Sequence, residues 1–192
     1  PFDAKSSEKF ARVFSLVHDR SAGRHTRFAH YNLGVMYQLG QGVKKDNTLA
    51  TTHFRLAADQ GFVNADYNLG VSYADARSAQ HDDALAFKHF KLAAERGLTK
   101  AQYNIGLMYE NGQGVQQDDT LAFESFALAA ENGFAKAQYN LGLMYNNGQG
   151  VNQDVVMATR YYKLAADQGL ASAQFNLGDM YSHSGSQPDL LQ

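Results

Sequence analysis

The 192-residue chain has no cysteine, no tryptophan and only 2 prolines. The absence of Cys removes disulfides, thiolate metal sites and Cys nucleophiles together. It leaves the compartment open, because many secreted proteins also lack Cys. Neither sign of charge is in excess: 17 Lys+Arg stand against 19 Asp+Glu, a net charge of −2. Nucleic-acid binding normally rests on a basic stripe, so no nucleic-acid partner is expected. Long apolar runs are also missing, and none approaches the ~18–20 residues that span a bilayer. Direct membrane insertion is therefore not expected. The first residues, Pro1-Phe2-Asp3-Ala4-Lys5-Ser6-Ser7, include neither an initiator Met nor the apolar stretch of a signal peptide. The chain reads as a processed or trimmed form, and any targeting segment lies outside it. With 44% apolar residues it has the composition of a folded, soluble protein.

What the chain does contain is one unit written five times. Ala29-His30-Tyr31-Asn32-Leu33-Gly34 returns as Ala65-Asp66-Tyr67-Asn68-Leu69-Gly70, Ala101-Gln102-Tyr103-Asn104-Ile105-Gly106, Ala137-Gln138-Tyr139-Asn140-Leu141-Gly142 and Ala173-Gln174-Phe175-Asn176-Leu177-Gly178, always 36 residues on. Such phasing, without one insertion, is the signature of a repeat architecture.

Each repeat reads as two helices. Helix A of the first copy spans about Phe28 to Leu39, with Ala29, Leu33 and Tyr37 at i, i+4, i+8 as a buried stripe. Gly34 sits mid-helix, where it costs ~1 kcal/mol relative to Ala. Its recurrence predicts close backbone approach by a neighbouring helix. Helix B begins after Asp46, Asp82, Asp118 and Asp154, strong N-cap residues that also suit the helix dipole. Its expected buried side is Leu49, Ala50, Phe54, Leu56 and Ala57, repeated as Leu121, Ala122, Phe126, Leu128 and Ala129. Gly61, Gly97, Gly133 and Gly169 follow as left-handed C-terminal caps. Asp59, Glu95, Glu131 and Asp167, two residues earlier, oppose the dipole and suggest contacts with a neighbouring repeat.

The A–B connection is Gly40-Gln41-Gly42-Val43, and later Gly112-Gln113-Gly114-Val115 and Gly148-Gln149-Gly150-Val151. No strand precedes this Gly-x-Gly and no Gly-Lys-Ser/Thr follows, so a phosphate loop is excluded. The glycines end helix A, and the Val pins the loop to the core. Copy two carries Ala76, Ser78 and Ala79 instead. Either helix A runs longer there or the loop takes another path.

The motif Ala-x-x-x-Leu-Gly-x-x-Tyr-x-x-Gly-x-Gly-Val-x-x-Asp, followed by an Ala/aromatic helix and Ala-Ala-x-x-Gly, resembles the Sel1-like repeat family. The resemblance implies an all-α fold, an α/α solenoid forming a right-handed superhelix of 36-residue helix-turn-helix units, related to tetratricopeptide repeats. The repeats divide as 29–64, 65–100, 101–136 and 137–172, with a half repeat at 173–183. Residues 1–28 resemble a worn helix B (Phe10, Phe14, Val17) and form an N-terminal capping helix, while 184–192 are a tail. The half repeat lacks its helix B. Its open face calls for Leu190-Leu191, another molecule or residues beyond this sequence, and offers a surface for self-association.

A solenoid contacts only its neighbouring repeats and presents a long surface, not one enclosed pocket. By analogy with tetratricopeptide proteins, helix A lines the concave face. Tyr31, Asn32, Tyr67, Asn68, Tyr103, Asn104, Tyr139, Asn140 and Phe175 then form a ladder along it. Asn can donate to and accept from a peptide backbone at once, and Tyr offers contact area at low entropic cost. The same ladder also serves to hold adjacent helices in register, and strict repetition favours that role. Selectivity belongs to positions that vary: Phe28, Asn64, Lys100, Lys136 and Ser172 before each Ala; Val35, Val71, Leu107, Leu143 and Asp179 after each aromatic; Gln38, Ala74, Glu110, Asn146 and Ser182 one turn on. Lys100 and Lys136 beside Asn104 and Asn140 could hold a carboxylate.

Enzyme chemistry finds little footing. His53 and His89 share a repeat position, but Ser125 and Tyr161 replace them later, and no His pair has zinc-ligand spacing. No metal or cofactor is expected. The cysteine-rich Sel1-like proteins, linked to β-lactam binding and hydrolysis, carry a Cys pair in every repeat that is absent here. Ser6-Ser7-Glu8-Lys9 is a Ser-x-x-Lys without its Ser-Asp-Asn and Lys-Thr-Gly companions. The resemblance implies a non-enzymatic scaffold or adaptor, of a kind found in bacterial signalling, envelope assembly and host interaction, that binds a protein or peptide on the concave face. The alternatives are an immunity protein occluding a secreted toxin and, behind it, a β-lactam-binding enzyme. Bacterial cytoplasm, periplasm and the exterior all remain open.

Overall fold

A computed structural model describes residues 3–18 and 26–184. Among the described residues all regular structure is helical: α1 (Ala4–His18), α2 (Thr26–Leu39), α3 (Asn47–Ala58), α4 (Val63–Ala74), α5 (Asp83–Glu95), α6 (Thr99–Asn111), α7 (Asp119–Glu131), α8 (Ala135–Asn147), α9 (Val155–Asp167) and α10 (Ala171–Ser184). This is the α/α solenoid class, built of helix pairs. The chain forms two compact units, Pro1–Arg96 and Gly97–Gln192. In the first, α2 packs on α3, α4 on α5, α3 on α4, and α1 on α2. In the second, α6 pairs with α7, α8 with α9, α7 with α8, and α10 closes against α9. The tail 184–192, with Leu190-Leu191, lies outside the described residues except for the end of α10.

The helix boundaries follow the expected chemistry. Asp46, Asp82, Asp118 and Asp154 each accept, at 2.9 Å, from the backbone N–H three residues on. Gly61, Gly97, Gly133 and Gly169 hold φ between 77° and 84° after the B helices, the region that glycine enters at least cost. The acids two residues before them are exposed and make no ion pair among the described residues. The residue that follows each acid, rotated by about 100° around the helix, is the one that reaches a side chain of the preceding helix A: Gln60 to Thr26, Arg96 to Asp66, Asn132 to Gln102 and Gln168 to Gln138.

The packing unit is an aromatic ring seated on a glycine. Ala50, Phe54 and Ala57 on α3 are buried, as are Ala86, Phe90 and Ala93, Ala122, Phe126 and Ala129, and Ala158, Tyr162 and Ala165. A Cβ on Gly34, Gly70, Gly106 or Gly142 would fall 2.5–2.6 Å from the ring of Phe54, Phe90, Phe126 or Tyr162. The helix-A glycine thus makes room for a side chain of its own helix B, and the backbone approach expected from sequence is corrected to a ring approach. Burying each Phe contributes about 1.5–3 kcal/mol. Leu49 and Leu56, expected inside, are each 40% exposed, and Leu121 and Leu128 are 37% and 51% exposed. These i, i+7 pairs lie along the edge of the Ala-Phe-Ala stripe, beside the core rather than in it.

The copy-two connection takes a different path and its helix is not lengthened. α4 stops at Ala74, and Asp75 is extended (φ −71°, ψ 101°). At the equivalent stage α6 ends on left-handed Gly112 and α8 on Gly148. Asp75 instead accepts from the backbone N–H and Nε of Arg77, each at 3.1 Å. The chain still returns to a common point: Asp82 donates to Tyr73 O at 3.0 Å, just as Asp118 donates to Tyr109 O.

Candidate functional site

The Tyr ladder is half inside the protein. Tyr31, Tyr67, Tyr103 and Tyr139 are half-buried, with ring centroids 5.6–5.9 Å from Phe54, Phe90, Phe126 and Tyr162. Tyr31 and Tyr103 also meet Phe62 and Phe134, at 4.8 and 5.0 Å. Phe175 is 75% exposed, because no described helix follows α10.

The Asn residues share the ladder's structural work. Asn176 Nδ2 donates to the Tyr139 hydroxyl at 3.5 Å, a bond that joins α10 to α8. Asn140 stands near the Tyr103 hydroxyl one repeat earlier and favours its ionised form. Burial pushes the Tyr103 hydroxyl up from its ordinary value, with the Glu110 charge adding to it. Asn32 is exposed, and Asn68, Asn104 and Asn140 are half-buried.

What remains open is a patch on α6 and α8 in the second unit, where Asn140 stands near the Tyr103 hydroxyl. Lys100 and Lys136 are exposed at the starts of these helices, and Leu107 and Leu143 are half-buried behind them. Glu110 lies on the same helix as Lys100. Its carboxyl is raised from 4.5, first by burial and then by the Asp119 charge. A carboxylate held against its own hydration is a group that a bound donor or cation would satisfy.

Sequence reasoning missed the residue after each helix-A Ala. Asp66 is 3% exposed and accepts from Arg96 Nη1 at 3.0 Å and faces His89 Nδ1 at 3.3 Å. At the same place Gln102 accepts from Asn132 at 3.5 Å and Gln138 from Gln168 at 2.7 Å. In the first copy His30 meets His53, Nδ1 to Nδ1, at 3.1 Å. The signal was there as partners 30 residues apart that change together, Asp with Arg and Gln with Asn or Gln. It is also where His53 and His89 find their use, each stacked on the Tyr that ends helix A.

Ser6 donates its backbone N–H to Asp3 Oδ1 at 2.9 Å, so Asp3 caps α1, and hydrogen bonding by Ser6 lowers the Asp3 carboxyl. Among the described residues no three His, Asp or Glu side chains converge as metal ligands would. No described helix is long and apolar enough to cross a membrane.

A family model described as Sel1 repeat matches residues 27–62, 63–98, 99–134, 135–170 and 171–191. Among solved structures, a protective antigen of uropathogenic Escherichia coli strains with an SLR fold is 38% identical with a TM-score of 0.83. That match covers 90% of this chain but 36% of the E. coli chain, so this chain spans about a third of its length. A Sel1 repeat protein from Oxalobacter formigenes is 30% identical, TM-score 0.81, covering 93% of this chain and 76% of that one. The immunity protein PA5088 of Pseudomonas aeruginosa shares the fold at 20% identity and TM-score 0.52, over 99% of this chain and 85% of its own.

Proposed function

Since the chain belongs to the Sel1 repeat family, we propose that it is a non-enzymatic interaction scaffold that holds an extended protein segment on its A-helix face. The observation that carries this reading is the α6–α8 patch. The Tyr103 ring is packed on Phe126 and Phe134 there, yet Lys100, Lys136 and the desolvated Glu110 remain without an ion pair among the described residues. Two ammonium groups one repeat apart, over half-buried Leu107 and Leu143, suit an acidic segment with apolar side chains between its carboxylates. Glu110 would accept from a backbone N–H or a basic side chain of the same segment.

The test is a pull-down from source-cell lysate with the native chain and with Lys100→Glu/Lys136→Glu as parallel baits. These lysines are exposed, so the variant keeps its fold, whereas Tyr103→Ala would strip a ring from Phe126 and Phe134. A protein held by the native bait and released by the charge-reversed one supports the reading. Equal retention by both moves the binding surface elsewhere.

The occlusion of a folded toxin draws support from the immunity-protein fold only. It makes a different demand: one-to-one, tight association on a broad surface. Titration of the captured protein by calorimetry separates the two readings, because a segment-binding adaptor releases its partner in favour of a synthetic peptide and a toxin inhibitor does not.

A further inference from the structure

We propose that the first unit carries a recess for a carboxamide side chain, an Asn or Gln of the bound segment. The source of that side chain rests on the scaffold reading; the chemistry of the recess stands on its own residues. Two repeat positions are hollowed out together. Helix B has Phe87 and Phe123 where α3 has Thr51 and α9 has Thr159, and helix A has Met36, Met108, Met144 and Met180 where α4 has Ser72, so only at Thr51 and Ser72 are both positions small. The two positions are neighbours in space. In the second unit Phe123 packs against the cluster that holds the buried Met144, and Thr159 Oγ1 lies 3.6 Å from Met180 Sδ. At Thr51 and Ser72 both large side chains are gone, and a cavity of about 110 Å³ lies there instead.

Its Thr51 and Ser72 walls are polar where Phe123 and Met144 are apolar. Thr51, 2% exposed, forms the floor. The Thr51 hydroxyl donates to Asn47 O and the Ser72 hydroxyl to Asn68 O, each at 2.8 Å. Both donors are thereby used, and each oxygen keeps acceptor capacity. Gln38 adds an amide, and Val71 an apolar wall. Lys45 and Asp75 bring one charge of each sign. Asp75 already accepts from Arg77, which holds its carboxyl below the usual value and keeps it ionised at neutral pH. An entering carboxylate can pair with Lys45 but is repelled by Asp75, and an entering ammonium can pair with Asp75 but is repelled by Lys45. A carboxamide meets neither penalty: its N–H groups face the hydroxyl oxygens, and its C=O can accept from Gln38 or Lys45. The volume exceeds the ~30 Å³ share of one water and accommodates such a group. Exchanging Phe and Met for Thr and Ser gives up buried apolar area, a loss of stability typical of residues retained for binding.

The test uses the full chain and propionamide, with propionate and propylammonium as isosteric charged probes, followed by 15N NMR at neutral pH. Saturable shifts at the Thr51 and Ser72 amides, reached at lower concentration with propionamide than with either ion, support the proposal. Thr51→Phe/Ser72→Met installs the third-copy residues. It should raise the melting temperature and abolish those shifts. Thr51→Val keeps the shape and removes one acceptor, and should weaken propionamide roughly fivefold, the worth of one hydrogen bond. Shifts that never saturate, tighter binding of an ion, persistence in the filled variant or an unchanged Thr51→Val affinity each overturn it. None of these readouts involves Lys100 or Lys136, so failure here is distinct from failure of the scaffold reading.

Discussion

Phe126 sits over Gly106 so closely that a Cβ on the glycine would lie 2.5 Å from its Cδ1 and Cε1 atoms. Gly178 holds the same place in α10, and nothing lies within 4 Å of its hypothetical Cβ. One repeat position therefore has two opposite substitution costs. Gly106→Ala should destabilise by about 1–3 kcal/mol through overpacking. Gly178→Ala should leave stability unchanged or raise it by up to ~1 kcal/mol, the helix propensity of Ala over Gly. Urea unfolding of the two variants checks this, and equal effects would remove the ring-on-glycine account.

Gln102–Asn132 and Gln138–Gln168 show that the buried position after the helix-A Ala works without charge. Asp66→Ala should thus be costly, leaving Arg96 without its buried partner, at about 1–3 kcal/mol given that Arg96 is 43% exposed. Asp66→Gln/Arg96→Asn, which copies the third repeat, should recover most of that loss. Thermal melts of the single and double variants decide, and a double variant as unstable as the single would show that the ion pair itself is required.

The periodic features were legible in the sequence because they depend on local chemistry. Asp caps, left-handed glycines and the Ala-x-x-x-Phe stripe each follow from a residue and its near neighbours. What was not legible depends on rotation about the helix and on partners a repeat away. Leu49 sits one residue from buried Ala50, and apolar character alone did not place it at the edge of the stripe. Nothing local marked Asp66 as buried, because its partner Arg96 lies 30 residues on. The Tyr–Asn ladder was legible as a repeat, but its division between register and recognition was not. That division turns on the Asn176–Tyr139 bond between α10 and α8.

The register role of that ladder is measurable by itself. Tyr139→Phe and Asn176→Ala each remove one side of the same hydrogen bond. A double-mutant cycle should give a coupling of about 0.5–1.5 kcal/mol. Zero coupling in denaturant unfolding would remove the register role of this pair.

Glu110 supplies a pH-dependent prediction. Burial, aided by the Asp119 charge, raises its folded-state carboxyl above the ordinary value of 4.5. A raised carboxyl pKa means that the folded protein binds the proton more tightly than the unfolded chain does. The stabilisation that Glu110 gives through protonation is complete below pH 4.5 and is lost as the pH rises through the folded-state value. At neutral pH the ionised group is a liability, and Glu110→Gln, which removes the charge and keeps the shape, should raise the melting temperature there. The gain should shrink as the pH falls toward 4.5 and vanish below it, once native Glu110 is protonated in both states. Melting curves of the two proteins across pH 3.5–8 test this, and a gain independent of pH would mean that charge is not the cause. If the A-helix face works as proposed, Glu110→Gln should also bind the captured protein more weakly at neutral pH. A more stable and less active variant is the expected result when a desolvated carboxylate is kept for a partner's donor rather than for the fold.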